Sequence, residues 1–235
     1  MSFLDHLEEL RWRIVKMAIA VIVTSIPCGI FWKQLFDIVM VYPLSLADPK
    51  PHLIFTTPVE AVIVSFKIAV GGGVILSTPV LFYQIWRFVA PGLYLKEKKI
   101  ILPTVFLSSI SFIAGILFCY FTLPLVLKFL TNYASFRLDP FFKVNDYFGF
   151  LLKLSLAFGA VFELPVVSFI LARMGLIDVS FLLKHWRITI VIIAVIAAVL
   201  SPPDAFSMSL LAAPLLLLYA ISILIVRFAG RKKPS

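Results

Sequence analysis

The feature that most constrains this chain is a succession of long apolar runs parted by short polar stretches. A helix rises ~1.5 Å per residue and the hydrocarbon layer of a bilayer is ~30 Å thick, so one crossing takes about 20 mostly apolar residues. Six runs reach or approach that length, at residues 14–32, 59–86, 100–127, 146–172, 188–200 and 205–226. They predict an all-α polytopic membrane protein with six transmembrane helices, forming a single membrane domain over residues 1–235. Composition agrees, since 62% of the residues are hydrophobic and only 14% are charged, against about a quarter charged in soluble domains. Met1 to Leu10 is polar and carries Asp5, Glu8 and Glu9, so it does not read as a cleavable secretory signal.

A net charge of +9 would raise the question of nucleic acid in a soluble protein. Here the cations sort by side instead, and no nucleic-acid partner is expected. Fourteen of the 21 Lys and Arg fall on the side that holds both chain ends, among them Arg11, Arg13, Lys96, Lys98, Lys99 and Arg187. The other seven, Lys33, Lys50, Lys67, Lys128, Arg137, Lys143 and Lys153, are expected to be spread over longer loops on the opposite side. Because Lys and Arg concentrate in cytoplasmic loops, both termini are predicted to be cytoplasmic, an N-in/C-in arrangement.

Two irregularities shape the expected bundle. The fifth run, residues 188–200, reaches only about 20 Å, short of the hydrocarbon thickness. Joined to the sixth through Ser201-Pro202-Pro203-Asp204, it predicts a hairpin of short fifth and sixth spans that thins the bilayer or sits off-centre. Prolines at Pro27, Pro79, Pro103, Pro124, Pro165 and Pro214 each remove a backbone donor and tend to kink a helix. Kinked helices are expected to enclose a concave surface. Gly71-Gly72-Gly73 reads as a close helix approach ahead of a flexing hinge. Cys28 and Cys119 lie within apolar runs, and burial is a better reading for them than a disulfide or a metal site.

A few polar residues stand out against this background. Thr57-Pro58-Val59-Glu60 has the form of a capping box, with Thr57 as N-cap and Glu60 reaching back to its amide. Asp204 suits the N-cap of the sixth span, with an outer-face contact as the alternative. Glu163 is different, because a carboxyl within hydrocarbon costs at least ~2.5 kcal/mol and is usually kept for a reason. Pro165 also deprives the Val161 carbonyl of its helical donor. A functional role for Glu163 is preferred over a purely structural hydrogen bond. Glu8, Glu9 and Glu97 are acids on a basic face, where Glu9 and Arg13 form an i, i+4 pair and Glu97 reads as a solvated loop charge. Recessed carboxylates could also grip guanidinium groups by paired, charge-assisted hydrogen bonds. Nothing resembles GxxxxGK[ST], HExxH or GxSxG, so an enzyme, a cofactor and a metal site are not expected.

Several stretches, in order, resemble the TatC family, the large polytopic subunits of the twin-arginine protein translocase. They are Phe3-Leu4-Asp5-His6-Leu7-Glu8-Glu9-Leu10-Arg11, Phe55-Thr56-Thr57-Pro58-Val59-Glu60, Tyr83 to Tyr94 with Glu97, Phe162-Glu163-Leu164-Pro165-Val166, and Ser201-Pro202-Pro203-Asp204. The resemblance implies a receptor for signal peptides that bear an arginine pair on folded cargo, exported by the proton-motive force. Under it, Glu9 and Glu97 match the acids that engage the arginine pair, with Arg11 and Phe88 in the same motif regions. Glu163 matches an intramembrane glutamate that contacts a single-span partner, and Pro43 and Asp204 match outer-face positions, with Glu60 placed on the same face in a functional or structural role. Implied partners are twin-arginine signal peptides, TatA- and TatB-type single-span subunits, lipid and further copies of the chain. The implied location is the bacterial cytoplasmic (inner) membrane. Ala220 departs from the glutamate that many relatives carry after the aromatic residue.

The alternative from another class is a proton-coupled secondary transporter of a small solute that uses Glu163. Against it, no repeated pair of broken helices with matched polar gaps is visible. In the favoured mechanism the signal peptide docks its arginines at Glu9 and Glu97, then slides its apolar stretch along the concave wall.

Overall fold

The apolar runs are helical, and the computed structural model describes residues 3–47, 50–89, 101–134, 140–200 and 204–229. Internal contacts divide the chain into two compact units, Met1–Ser155 and Leu156–Ser235.

The first unit opens with α1 (Phe3–Ile30) and α2 (Trp32–Phe36), followed by a π-helical turn at Asp37–Val41 and α3 (Tyr42–Ser45). After β1 (His52–Ile54) come the two longest helices, α4 (Glu60–Val89, 30 residues) and α5 (Ile101–Ala134, 34 residues). β2 (Phe141–Lys143) leads into α6 (Val144–Phe162), which runs out of the first unit.

The glycine triplet is a packing surface. A Cβ added at Gly73 would come 2.1 Å from Ser25 Oγ and 2.9 Å from the Ser25 backbone nitrogen, and one at Gly72 would come 2.8 Å from Cys28 Sγ. Only hydrogen at these positions lets α1 and α4 approach so closely, as in small-residue contacts between membrane helices. Thr24 Oγ1 seals the approach by donating to the Gly73 carbonyl at 2.7 Å. Cys28 and Cys119 are both buried free thiols, as expected.

Most of the prolines are absorbed rather than helix-ending. α1, α4, α5 and α10 (Ala205–Ala229) run on through Pro27, Pro79, Pro124 and Pro214. Pro79 leaves the Ile75 carbonyl without its helical donor, and Thr78 Oγ1 donates to it instead at 2.6 Å. Hydroxyl rescue of this kind is what lets proline persist in hydrocarbon. Pro43 acts on the π-helical turn, where ladder bonds run from residue i+5 to i. Tyr42 N–H donates to the Asp37 carbonyl in that register, but Pro43 has no N–H for Ile38, and Tyr120 Oη from α5 donates there at 2.7 Å.

A two-stranded parallel ribbon has no counterpart among the sequence expectations. β1 pairs with β2 in the register His52 with Phe141, Leu53 with Phe142 and Ile54 with Lys143. Three-residue strands are too short for periodicity to mark them. Lys67, Lys128 and Lys153 stand within α4, α5 and α6 rather than in connecting loops. Lys67 Nζ is satisfied there by Asn145 Oδ1 at 2.7 Å.

The second unit holds the end of α6, then α7 (Leu164–Arg173), α8 (Val179–Lys184), α9 (Trp186–Leu200) and α10. Pro165 does break its helix, because α6 stops at Phe162 and α7 restarts at Leu164 with Glu163 in the turn. Glu163 N–H donates to Ala160 O at 3.2 Å and Val167 N–H returns to Glu163 O at 2.8 Å, so the backbone crosses the break with few losses. Ala172 and Val226 form a small core walled by Phe169, Ile177, Val179 and Leu182, and Tyr219 Oη donates to the Leu182 carbonyl at 2.7 Å. The neighbouring Ala220 is exposed on α10.

Among the described residues, five helical stretches are long and apolar enough to cross a membrane, Val144–Arg173 counting as one, and Trp186–Leu200 is a shorter apolar helix. The six-run reading therefore holds, with one correction. Shortness is confined to α9, whose 15 residues reach about 22 Å. α10 continues unbroken past Pro214 for 25 residues, a length of roughly 37 Å that matches a full crossing. Large apolar side chains face outward along these helices, including Phe66 at 70% exposure and Phe121 at 72%. Such surfaces suit a surrounding of lipid tails.

Candidate functional site

Three charged side chains are buried among the described residues, Arg13 at 9% exposure, Glu60 at 5% and Glu163 at 7%. Burying a charge is costly unless it is paired or hydrogen-bonded, so each marks a place where the fold has committed polar groups.

Arg13 is a hub between α1 and α4. Its Nε donates to Glu9 Oε1 at 3.0 Å and its Nη2 donates to the same carboxylate oxygen. Nη1 reaches across to Gln84 Oε1 at 3.2 Å, and Nη2 also approaches the Arg87 carbonyl at 3.4 Å. The planar five-donor guanidinium makes such a fork possible. Two turns before Arg13 the His6 ring stacks on Phe88, with centroids 4.3 Å apart and planes 14° from parallel. Glu9 Oε2 lies 3.9 Å from His6 Nδ1. Arg87 Nη1 donates to Tyr83 Oη at 2.9 Å, and Trp86 Nε1 fastens the same stretch to Ser108 Oγ on α5 at 2.9 Å. Glu9 and Phe88 thus meet in one cluster, while Arg11 is exposed on α1 and Glu97 lies outside the described residues.

At the other end of α4, Glu60 ties together three segments. Its Oε2 accepts from the Thr56 amide at 2.7 Å and from Thr56 Oγ1 at 3.0 Å, and its Oε1 accepts from the Asn145 amide at 2.9 Å. The reach-back anticipated from the capping box is present, landing one residue before Thr57. Its second arm holds the start of α6. Pro43, fully buried, sits in the first turn of α3 next to the Tyr120 contact. Twenty-eight residues of one helix separate Glu60 from Phe88, a distance of about 40 Å, so these are two sites and not one.

In the second unit Glu163 is buried at the α6–α7 break. Asp204 is an N-cap, accepting from the Ser207 amide through Oδ1 at 2.7 Å, with Met208 N–H on its carbonyl. Sequence reasoning missed Arg13 as an inter-helix anchor, along with the Gln84, His6 and Asn145 contacts. A basic residue one turn after an acid looks like a surface pair, and only the burial of Arg13 distinguishes it.

Comparison with known proteins agrees with the sequence resemblance. The family described as Sec-independent protein translocase protein (TatC) matches residues 5–214. Sec-independent protein translocase protein TatC of Desulforapulum autotrophicum is 42% identical over 99% of this chain and 87% of its own. The Aquifex aeolicus protein of the same name is 39% identical over 99% of this chain and 98% of its own. A crystal structure described as the twin arginine translocase receptor TatC superposes with a TM-score of 0.84 at 39% identity, covering 96% of this chain and all of that one. With near-complete coverage in both sequence and fold, the chain belongs to the TatC family of Sec-independent protein translocase proteins.

Proposed function

We propose that this chain is the signal-peptide receptor and core subunit of a twin-arginine translocase, exporting folded proteins with the proton-motive force. It is an integral protein of the bacterial inner membrane and a translocase component rather than an enzyme. In the proposed arrangement it forms one membrane domain with both termini cytoplasmic.

The observation that carries the reading is the Glu9 cluster. Arg13 holds Glu9 through Oε1, which fixes the carboxylate and leaves Oε2 toward His6, whose ring stacks on Phe88. An arginine of a visiting signal peptide would engage Oε2, with Phe88 and His6 as an aromatic platform for the second guanidinium. Glu97 is proposed as the second acid of the pair, with Arg11 beside the peptide path. Glu163 is proposed to contact a TatA- or TatB-type single-span subunit, since a carboxyl at membrane depth is costly and is usually kept for a function. Pro43, Glu60 and Asp204 are proposed as opposite-face positions that keep the loops in place. Lipid and further copies of the chain complete the expected partners.

Copurification with a signal peptide tests the reading. The Arg-Arg form should be retained and the Lys-Lys form lost, because lysine reproduces a bidentate contact poorly. Glu9→Gln and Glu97→Gln should each weaken retention of the Arg-Arg form without loss of the membrane-inserted protein. Equal retention of both peptides by the unaltered chain would overturn the assignment.

A further inference from the structure

The first unit contains an apolar cavity of about 360 Å³ between the π-helical turn, α4, α5 and α6, walled by Gly71, Ile75, Leu117 and Leu152 among others. Its wall is almost wholly hydrocarbon. Leu76 and Leu117 are 57% and 48% exposed, so the cavity opens on the apolar flank of the unit. A second hollow, lined by Asp37, Ile38, Tyr42 and Tyr120, shares Ile38 and Tyr120 with the first. The polar groups are therefore gathered at one end: the Asp37 carboxylate and two phenols whose rings stack 6.3 Å apart. Polar at one end and apolar along its length, the combined space has the polarity of a single-chain amphiphile.

Size decides what enters. A whole helix is about 10 Å across, and a space of about 360 Å³ bordered by helices suits a slender chain better than another helix. By contrast, an apolar cavity of ~150 Å³ accepts benzene's six carbons, so 360 Å³ has space for roughly 14 carbons of a flexible chain by the same ratio. The medium around the spans supplies that chemistry at very high concentration. We propose that this cavity holds one acyl chain of a membrane glycerophospholipid, with the glycerol and head group at Asp37, Tyr42 and Tyr120. The lipid acts as a filler that closes the seam between α4, α5 and α6, and this role does not depend on arginine-pair recognition.

The full chain reconstituted in phosphatidylcholine liposomes, doped with a phosphatidylcholine that carries a diazirine near the end of one acyl chain, tests this directly. After irradiation, peptide mapping should place adducts on the wall around Gly71, Ile75 and Leu152 several-fold above those on the freely exposed Phe66 face. Ile75→Phe, which fills the space, should abolish that excess. Leu152→Phe fills it from α6 and serves if the first variant does not insert. Labelling that follows exposure alone, with Phe66 leading, would overturn the proposal. So would a photo-crosslinker at Leu117 that captures a protein segment in preference to lipid.

Discussion

Tyr120 Oη donates at 2.7 Å to the Ile38 carbonyl, the acceptor that Pro43 leaves without a donor in the π-helical register. Two residues far apart in the chain thereby repair a defect made by a third. Tyr120→Phe should cost about 0.5–1.5 kcal/mol, the net range for one hydrogen bond. Pro43→Ala restores an N–H at the right position, so Tyr120→Phe should cost less in that background. Equilibrium unfolding in mixed micelles across the four variants of the cycle measures the coupling, and purely additive losses would refute it.

Gly73→Ala should weaken the α1–α4 interface by about 1–3 kcal/mol, as overpacking does, because the new Cβ meets Ser25 backbone as well as its side chain. Gly149→Ala is the control: nothing lies within 4 Å of its added Cβ, and gaining helix propensity should stabilise by up to about 1 kcal/mol. Thermal unfolding of the detergent-solubilised variants separates the two signs.

Arg13→Lys keeps the charge but replaces a fork with a point donor. It cannot serve Glu9, Gln84 and the Arg87 carbonyl together, and a loss of about 2 kcal/mol is expected, the scale for hydrogen bonds to a charged group. Signal-peptide affinity should fall as well, because Glu9 loses its orienting partner. A variant of unchanged stability that binds normally would show Arg13 to be a bystander.

Glu163→Gln preserves shape and hydrogen-bonding capacity while removing the acid. The protein should insert and fold, and copurification with single-span subunits should drop several-fold if the acid makes that contact. Undiminished copurification together with normal export would reduce Glu163 to a structural role.

What was legible in the residues follows from how local the cause is. The spans, a kink at Pro165 and the caps at Glu60 and Asp204 rest on length, a missing donor or a three-residue spacing, all visible in one window of sequence, whereas the full break at Pro165 was not expected. The Glu60–Asn145 bond, the Lys67–Asn145 bond and the Tyr120–Ile38 bond join residues 85, 78 and 82 positions apart, and no window contains both partners. Arg13 falls between the two cases. Its pairing with Glu9 is local and was expected, but its insertion against Gln84 depends on α1 docking on α4, which the glycine triplet announces only as a close approach to some helix.

The β1–β2 ribbon imposes an order of events on synthesis and insertion. His52 pairs with Phe141, so roughly 90 residues, including two whole crossings, must leave the ribosome before the first strand has anything to bind, and closure over such a separation is slow. Until then β1 is a short exposed edge, and the Glu60 carboxylate holds only its local half. Chains arrested before residue 141 has emerged should leave β1 open to protease or to another chain's strand, whereas chains long enough for residue 145 to have emerged should have both the ribbon and the Asn145 bond zipped shut. The last stitch in the first unit is therefore the one that records whether α4 and α5 went in correctly.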